Sequence, residues 1–284
     1  MIIKITTDNA TDISSELLQK YNIGVINLPV ILGTVEHLTD ITPEKMYAYT
    51  AETGSLPKTA APNIQNFTEF FHEQLKDHDA LIHISMSSGI SSAYQNAVIA
   101  VKNEGLKNVY VVDSHSLSAA TALLCIKAHE MLHGGIDINT VINTIEGIRD
   151  KLQISFIIDT LDYLFKNGRC SALSAFFASK LSLKPTIIMN GQNDGKMLPG
   201  KKYMKRFEKA AIAYAEDILD NNPNPDLDRV FLAYTVGTPQ SIVKDVAEKI
   251  KKKYNFNEVI ITVAGPVITT HCGKGTIGIF YLRK

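Results

Sequence analysis

The chain has 284 residues, 45% of them hydrophobic, which is enough for a large core and for two domains. Lysine plus arginine and aspartate plus glutamate both total 29, so the formal charge is zero, and the basic excess of a nucleic-acid binder is missing. Cys125, Cys170 and Cys272 are scattered without a Cys-x-x-Cys pair, which argues for a reducing compartment and against a disulfide scaffold. No apolar run is long enough to cross a bilayer and no leader pattern precedes Ile2-Ile3-Lys4-Ile5, so a cytoplasmic protein without integral membrane contact is expected.

In chain order, Ile2–Thr6 reads as a strand and Ser15–Tyr21 as a helix after the N-cap candidate Asp12. Gly24–Leu32 reads as a second strand, and Pro43–Thr53 and Asn66–Lys76 as helices. Ala80–Ser85 is a strand that leads through a serine-rich turn around Gly89 into a helix over Ser92–Asn103. Asn108–Asp113 is a strand, and Ser118–His133 a long helix stopped by Gly134-Gly135. This alternation predicts a mainly parallel sheet with helices on both faces, whose ligand edge carries Asp8, Ser85–Ser91 and Asp113-Ser114.

Past Asp150 the rhythm changes. Ile154–Asp159, Thr186–Met189, Val230–Tyr234, Val259–Val263 and Ile277–Leu282 read as strands, with helices over Ser171–Leu181, Tyr203–Leu219 and Pro239–Tyr254. The turn Gly191-Gln-Asn-Asp-Gly195 suits a mixed sheet. The expected division is an N-terminal α/β domain, 1–152, and a C-terminal α/β domain with a mixed sheet, 153–284, with the ligand between them. The basic runs Lys201-Lys202, Lys205-Arg206 and Lys251-Lys252-Lys253 read as solvated helix faces. A partner-docking surface is the sharper reading of the first cluster.

Four motifs carry possible chemistry. The serine turn stands before a helix start, where free N–H groups and hydroxyls form an anion cradle; with no lysine after the glycine, it suits a carboxylate better than a polyphosphate. Gly89-Ile-Ser91-Ser92-Ala93 also resembles a nucleophile elbow, with Asp159 and His271 following in the order of a serine esterase of α/β-hydrolase type, although residues Met86 to Ser88 lengthen the turn. His129-Glu-Met-Leu-His133 matches the zinc-protease pattern, but Gly134-Gly135 ends the helix and no third ligand stands out, so no metal is expected. Gly265 to Gly275 places His271 in a glycine-rich loop, where an imidazole serves either the structure or a bound anion. A binder of a small phosphorylated metabolite is a third reading of the cradle.

Taken in order, these pieces resemble the DegV family of bacterial fatty-acid-binding proteins. The resemblance runs from Thr7-Asp8-Asn9-Ala10-Thr11-Asp12 through Thr59-Ala60-Ala61-Pro62 and the stretch Ser87 to Ala97. It continues with Val112-Asp113-Ser114, Leu161 to Arg169, Lys184-Pro185 and Gly265 to Gly275. The resemblance implies a DegV-like two-domain α/β fold holding a long-chain fatty acid in a buried apolar tunnel. Its carboxylate is expected on Thr59 and Ser91, with His271 and Ser92 beside it. Arg169 is a possible anion or partner contact, and Phe176, Phe177 and Leu181 are candidates for the tail channel. Family members of the kinase type present the carboxylate to a separate fatty acid kinase, so the expectation is a lipid carrier and not an enzyme, with no cofactor and a kinase subunit as candidate partner. Ala60-Ala61, Ser92-Ala93, Asn167 and Lys274 depart from the family pattern around the head group, and Lys274 is expected to add a charge near the cradle.

Overall fold

The computed structural model describes residues 1–170, 183–189, 194–221 and 224–284. The N-terminal half runs β1 (Ile3–Asp8), α1 (Ser15–Lys20), β2 (Gly24–Ile26), β3 (Val30–Leu32), β4 (Val35–His37), α2 (Pro43–Thr53), β5 (Lys58–Thr59) and α3 (Ile64–Leu75). It continues with β6 (Ala80–Ser85), α4 (Ala93–Glu104), β7 (Val109–Asp113), α5 (Ser118–His133) and α6 (Ile138–Ile148). Then follow β8 (Leu152–Ile158), α7 (Asp162–Lys166), β9 (Lys184–Met189), β10 (Leu198–Tyr203) and α8 (Phe207–Asn221). The described chain closes with β11 (Pro225–Tyr234), α9 (Gln240–Lys253), β12 (Glu258–Val263), α10 (Pro266–Cys272) and β13 (Thr276–Arg283).

The strands form a wholly parallel sheet, β2-β1-β6-β7, a mixed sheet, β10-β9-β8-β13-β11-β12, and a small antiparallel sheet, β4-β3-β5. In the mixed sheet only β11 and β12 run parallel. The expected division between residues 152 and 153 falls at the first residue of β8. Helix α5 lies between the two large sheets, touching β1 and β6 on one side and β8, β11 and β13 on the other. Its polar face is missing for that reason: Ala119, Ala120, Ala122, Leu124, Ile126 and Ala128 are all buried, and the small residues let both sheets approach. One apolar core runs through this middle layer. A second fills the space between the mixed sheet and α8 and α9. Period-two alternation divides β11 between the two, Phe231 and Ala233 facing the first and Val230 and Leu232 the second.

Several expectations change. Gly24–Leu32 is two strands in different sheets, interrupted where Pro29 has no N–H to donate and Leu28 gives its own to Asn9 Oδ1 at 2.9 Å. Tyr203 ends β10 and does not begin a helix; that strand escaped notice because Pro199 and Gly200 suppress strand propensity. Helix α6 is an addition to the elements read from the sequence; Val141 and Ile145 form its buried stripe, and Asp137 caps both Asn139 and Thr140 N–H groups at 3.1 Å. Lys201 and Lys202 lie on β10, where Lys201 pairs with Asp217, so they are not a helix face. His271 stands on α10, whose Pro266 occupies the first turn as helix starts prefer, and not in a loop. The helix expected over Ser171–Leu181 lies outside the described residues, and with it Phe176, Phe177 and Leu181.

Candidate functional site

Strand β6 ends at Ser85, and the turn after it is held in place by oxygen atoms around it. Met86 N–H donates to Asp8 Oδ2 at 2.8 Å, Ser87 N–H to Ser116 O at 2.8 Å and Ser88 N–H to Asp113 Oδ1 at 3.1 Å. Gly89 N–H reaches Ser87 Oγ at 3.1 Å, and the N–H groups of Ile90 and Ser91 reach Ser87 O at 3.2 Å. The backbone N–H groups of the turn from Met86 to Ser91 are therefore occupied. What the turn offers outward is a hydroxyl: Ser91 Oγ accepts Ala93 N–H at 3.2 Å, and its own proton is left to donate. Across the turn, Ser87 Oγ donates to Gly195 O at 2.8 Å, so the tip of the β9–β10 connection sits directly on the serine turn.

Thr59 and His271 meet on the other side. Thr59 Oγ1 and His271 Nε2 are 2.8 Å apart. His271 Nδ1 has no hydrogen-bond partner among the described residues. Burial, then the positive charge of Arg169, holds the imidazole down to about 3, so the ring is neutral at physiological pH. The contact runs in either direction according to the tautomer: with the proton on Nε2, Thr59 Oγ1 accepts it and the Thr59 hydroxyl proton is free for a third group.

Thr59, Ser91, Arg169 and His271 all line one narrow pocket, whose empty space of about 480 Å³ includes its opening to solvent. The rest of its wall is apolar and includes Leu28, Met86, Ile90, Met197 and Val267. A second narrow void shares Leu117, Ile268 and Cys272 with the first and reaches to Phe156 and Phe280. The two voids adjoin at Leu117, Ile268 and Cys272, between the parallel and mixed sheets beside the start of α5.

Not every expected residue joins this cavity. Ser92 is the exposed N-cap position of α4, makes no capping bond and is absent from the wall. Lys274 is exposed and lies over the Tyr47 ring at 4.6 Å, so it adds no charge to the cavity. Arg169 is exposed at the mouth, its Nη1 donating to Asn167 O at 2.8 Å. Asn167 uses its side chain to reach Thr270 O at 2.9 Å, tying that segment to the helix that carries His271. The apolar lining residues escaped sequence reading because nothing local separates them from ordinary core.

The geometry does not favour the hydrolase alternative. His271 Nε2 meets Thr59, no carboxylate among the described residues meets its Nδ1, and Asp159 pairs with Lys184 at 2.5 Å. The His129–His133 pair is also taken up elsewhere. The two rings stack at 6.2 Å, Glu130 pairs with Arg229 at 2.6 Å, and no group of three metal-ligating side chains occurs among the described residues.

Two sheets sharing one buried helix, with a narrow, largely apolar pocket between them and a few polar groups at its mouth, define an α/β protein with a candidate ligand site. A model of the DegV family, described as uncharacterised protein of that family, matches residues 2–284, and the chain belongs to the DegV family. A fatty acid-binding protein of Thermotoga maritima is 30% identical over 285 residues, covering 98% of this chain and 96% of that one. Protein DegV of Bacillus subtilis is 27% identical over 287 residues, covering 100% of each. Among solved structures, a DegV lipid-binding protein of Thermotoga maritima matches with a TM-score of 0.84 at 28% identity over 100% of both chains. The Bacillus subtilis DegV structure, described as a fatty acid binding protein, matches with a TM-score of 0.83 at 26% identity, again over 100% of both. No helix among the described residues is long and apolar enough to cross a membrane.

Proposed function

We propose that this protein binds a long-chain fatty acid, its carboxylate accepting hydrogen bonds from Thr59 and Ser91 and its tail running past Ile268 and Cys272 toward Phe156 and Phe280. The observation that carries the reading is the Thr59–His271 contact. With a carboxylate at the mouth, the neutral imidazole takes the tautomer that donates to Thr59 Oγ1, and the threonine hydroxyl donates to the ligand. Arg169, exposed at that mouth, supplies the positive charge that favours a carboxylate. The relatives described as fatty acid-binding support the same class of ligand.

The tail dominates the energetics. Each buried methylene is worth about 0.8 kcal/mol, whereas a hydrogen bond to a charged group contributes about 1.5–3 kcal/mol net. Hydroxyl and imidazole groups therefore set polarity and identity, and the apolar path sets affinity. The reading requires no cofactor and no catalytic step: the protein is a cytoplasmic carrier, and delivery to a fatty acid kinase rests on the family resemblance alone.

Lipid extraction and mass analysis of freshly purified protein tests the proposal. A co-purifying free fatty acid of intact mass is the expected result. Protein that carries no lipid and takes up none from solution refutes it, and thermal stabilisation by phosphate in place of lipid points to the phosphorylated-metabolite reading.

A further inference from the structure

The opening motif contributes nothing to the cavity wall, yet its two carboxylates are buried. Asp8 has a local task, holding Met86 and Ala10 N–H groups at 2.8 and 3.1 Å. Asp12 reaches across the molecule. Its Oδ1 accepts Gly265 N–H at 2.7 Å, its backbone carbonyl accepts the Thr262 hydroxyl at 2.6 Å, and its Oδ2 accepts the Ser118 hydroxyl. Gly265 is the N-cap residue of α10 and has no side chain with which to cap it. Asp12 and Ser118 both adopt left-handed backbone angles, with φ of 50° and 53°, a conformation non-glycine residues keep only where their surroundings demand it.

Helix α10 is seven residues long, and His271 is its sixth. At 1.5 Å per residue the anchor at Gly265 lies only about 9 Å along the axis from His271, so a shift at one end is felt at the other. Ser118, the other partner of Asp12, lines the second void. We propose that Asp12 is a positioning residue for His271: from the parallel-sheet layer it pins the start of α10 and so holds the imidazole against Thr59. This deepens the carboxylate-site reading and rests on it for its functional meaning.

Burial pushes Asp12 up to about 7, with the charge of Asp8 adding to the rise and the bonds from Ser118 and Gly265 opposing it. The titratable groups facing it are Asp8 from β1, itself pushed up to about 6, and the Cys272 thiol from α10, pushed up to about 12. An ionised Asp12 accepts from both Gly265 and Ser118. A protonated one accepts from one and donates to the other, which loosens the pin.

The imidazole ¹⁵N shifts of His271 in the delipidated full chain test the proposal without any ligand. His271 itself stays neutral above about pH 4, so an inflection at neutral pH reports a neighbour. Wild type is expected to show one near pH 7, which Asp12→Asn abolishes and Ser118→Ala moves upward by removing a bond that favours the ionised form. A flat profile in wild type, or an inflection unchanged by both substitutions, overturns the proposal. Ser118→Ala keeps the test open if Asp12→Asn does not fold.

With palmitate and methyl palmitate as probes, Asp12→Asn is expected to cost roughly tenfold in affinity for the acid and under twofold for the ester. It should add nothing in a His271→Gln background. Equal losses for both probes would mark Asp12 as merely structural. Failure of wild type to bind either probe removes the fatty-acid reading, while the ¹⁵N profile still decides the role of Asp12.

Discussion

The hydroxyl of Thr59 and the imidazole of His271 stand 2.8 Å apart although 212 positions separate them in the chain. A strand of the smallest sheet and a short helix leading into the mixed sheet thus supply one polar unit. If that unit recognises a carboxylate, Thr59→Val and His271→Gln should each weaken palmitate binding by about 1.5–3 kcal/mol. Binding of methyl palmitate should stay within about 0.5 kcal/mol of wild type. Isothermal titration with both ligands decides it, and parallel losses would mean the pair only supports packing.

The second void makes chain length testable. Ala233 lines it from β11 and is 5% exposed. Ala233→Leu should shorten the longest acyl chain that co-purifies while sparing the head-group contacts, at a stability cost of about 1–3 kcal/mol from overpacking. An unchanged lipid profile would place the tail elsewhere.

Two glycines should respond in opposite directions to alanine. Gly195 has φ of +65°, and a Cβ there would stand 2.1 Å from Ser87 Oγ and 2.7 Å from His115 Cα, so Gly195→Ala is expected to cost about 2–4 kcal/mol. Gly147, inside α6, meets nothing within 4 Å, and Gly147→Ala should stabilise by about 0.5–1 kcal/mol. Urea midpoints for the two variants test whether the contact of the β9–β10 tip with the serine turn is as close as described.

The pH dependence of stability divides by residue. His83, enclosed by Phe67, Phe70 and Phe71, is held down to about 3 by burial, as is His271. Folded protein therefore binds fewer protons than unfolded protein between about pH 3 and 6.5, and their contribution is lost as pH falls through that window. Asp8 and Asp12, raised to about 6 and 7, act the other way: folded protein holds their protons longer, so their contribution is lost as pH rises from about 4 to 7. Relative to wild type, His83→Leu should flatten the acid limb by about 1.4 kcal/mol per pH unit between pH 4 and 6. Asp12→Asn should steepen it by a similar amount. Urea midpoints at half-unit steps measure both slopes, and parallel curves would refute the assignment.

Ser91 should be chemically inert. With His271 turned to Thr59 and Asp159 paired with Lys184, a fluorophosphonate is expected to leave Ser91 unlabelled, and Asp159→Asn should not alter ester turnover, which stays at background. Stoichiometric labelling would reopen the hydrolase reading.

Local chemistry determined a large part of this protein. The period of the apolar residues set the alternation of strands and helices and the change of rhythm after residue 150, because burial of one face acts within each segment. The resemblance of the ordered motifs to the DegV family pointed to Thr59, Ser91 and His271 as the groups expected around a carboxylate. Tertiary structure decided the rest. It joined Thr59 to His271, occupied the turn's N–H groups with Asp8 and Asp113, left Ser92 and Lys274 outside the cavity, and carried Asp12 across to Gly265. The neutrality of His271 likewise follows from desolvation by residues far away in the chain. No local pattern encodes these outcomes, since each depends on which distant surfaces exclude water together.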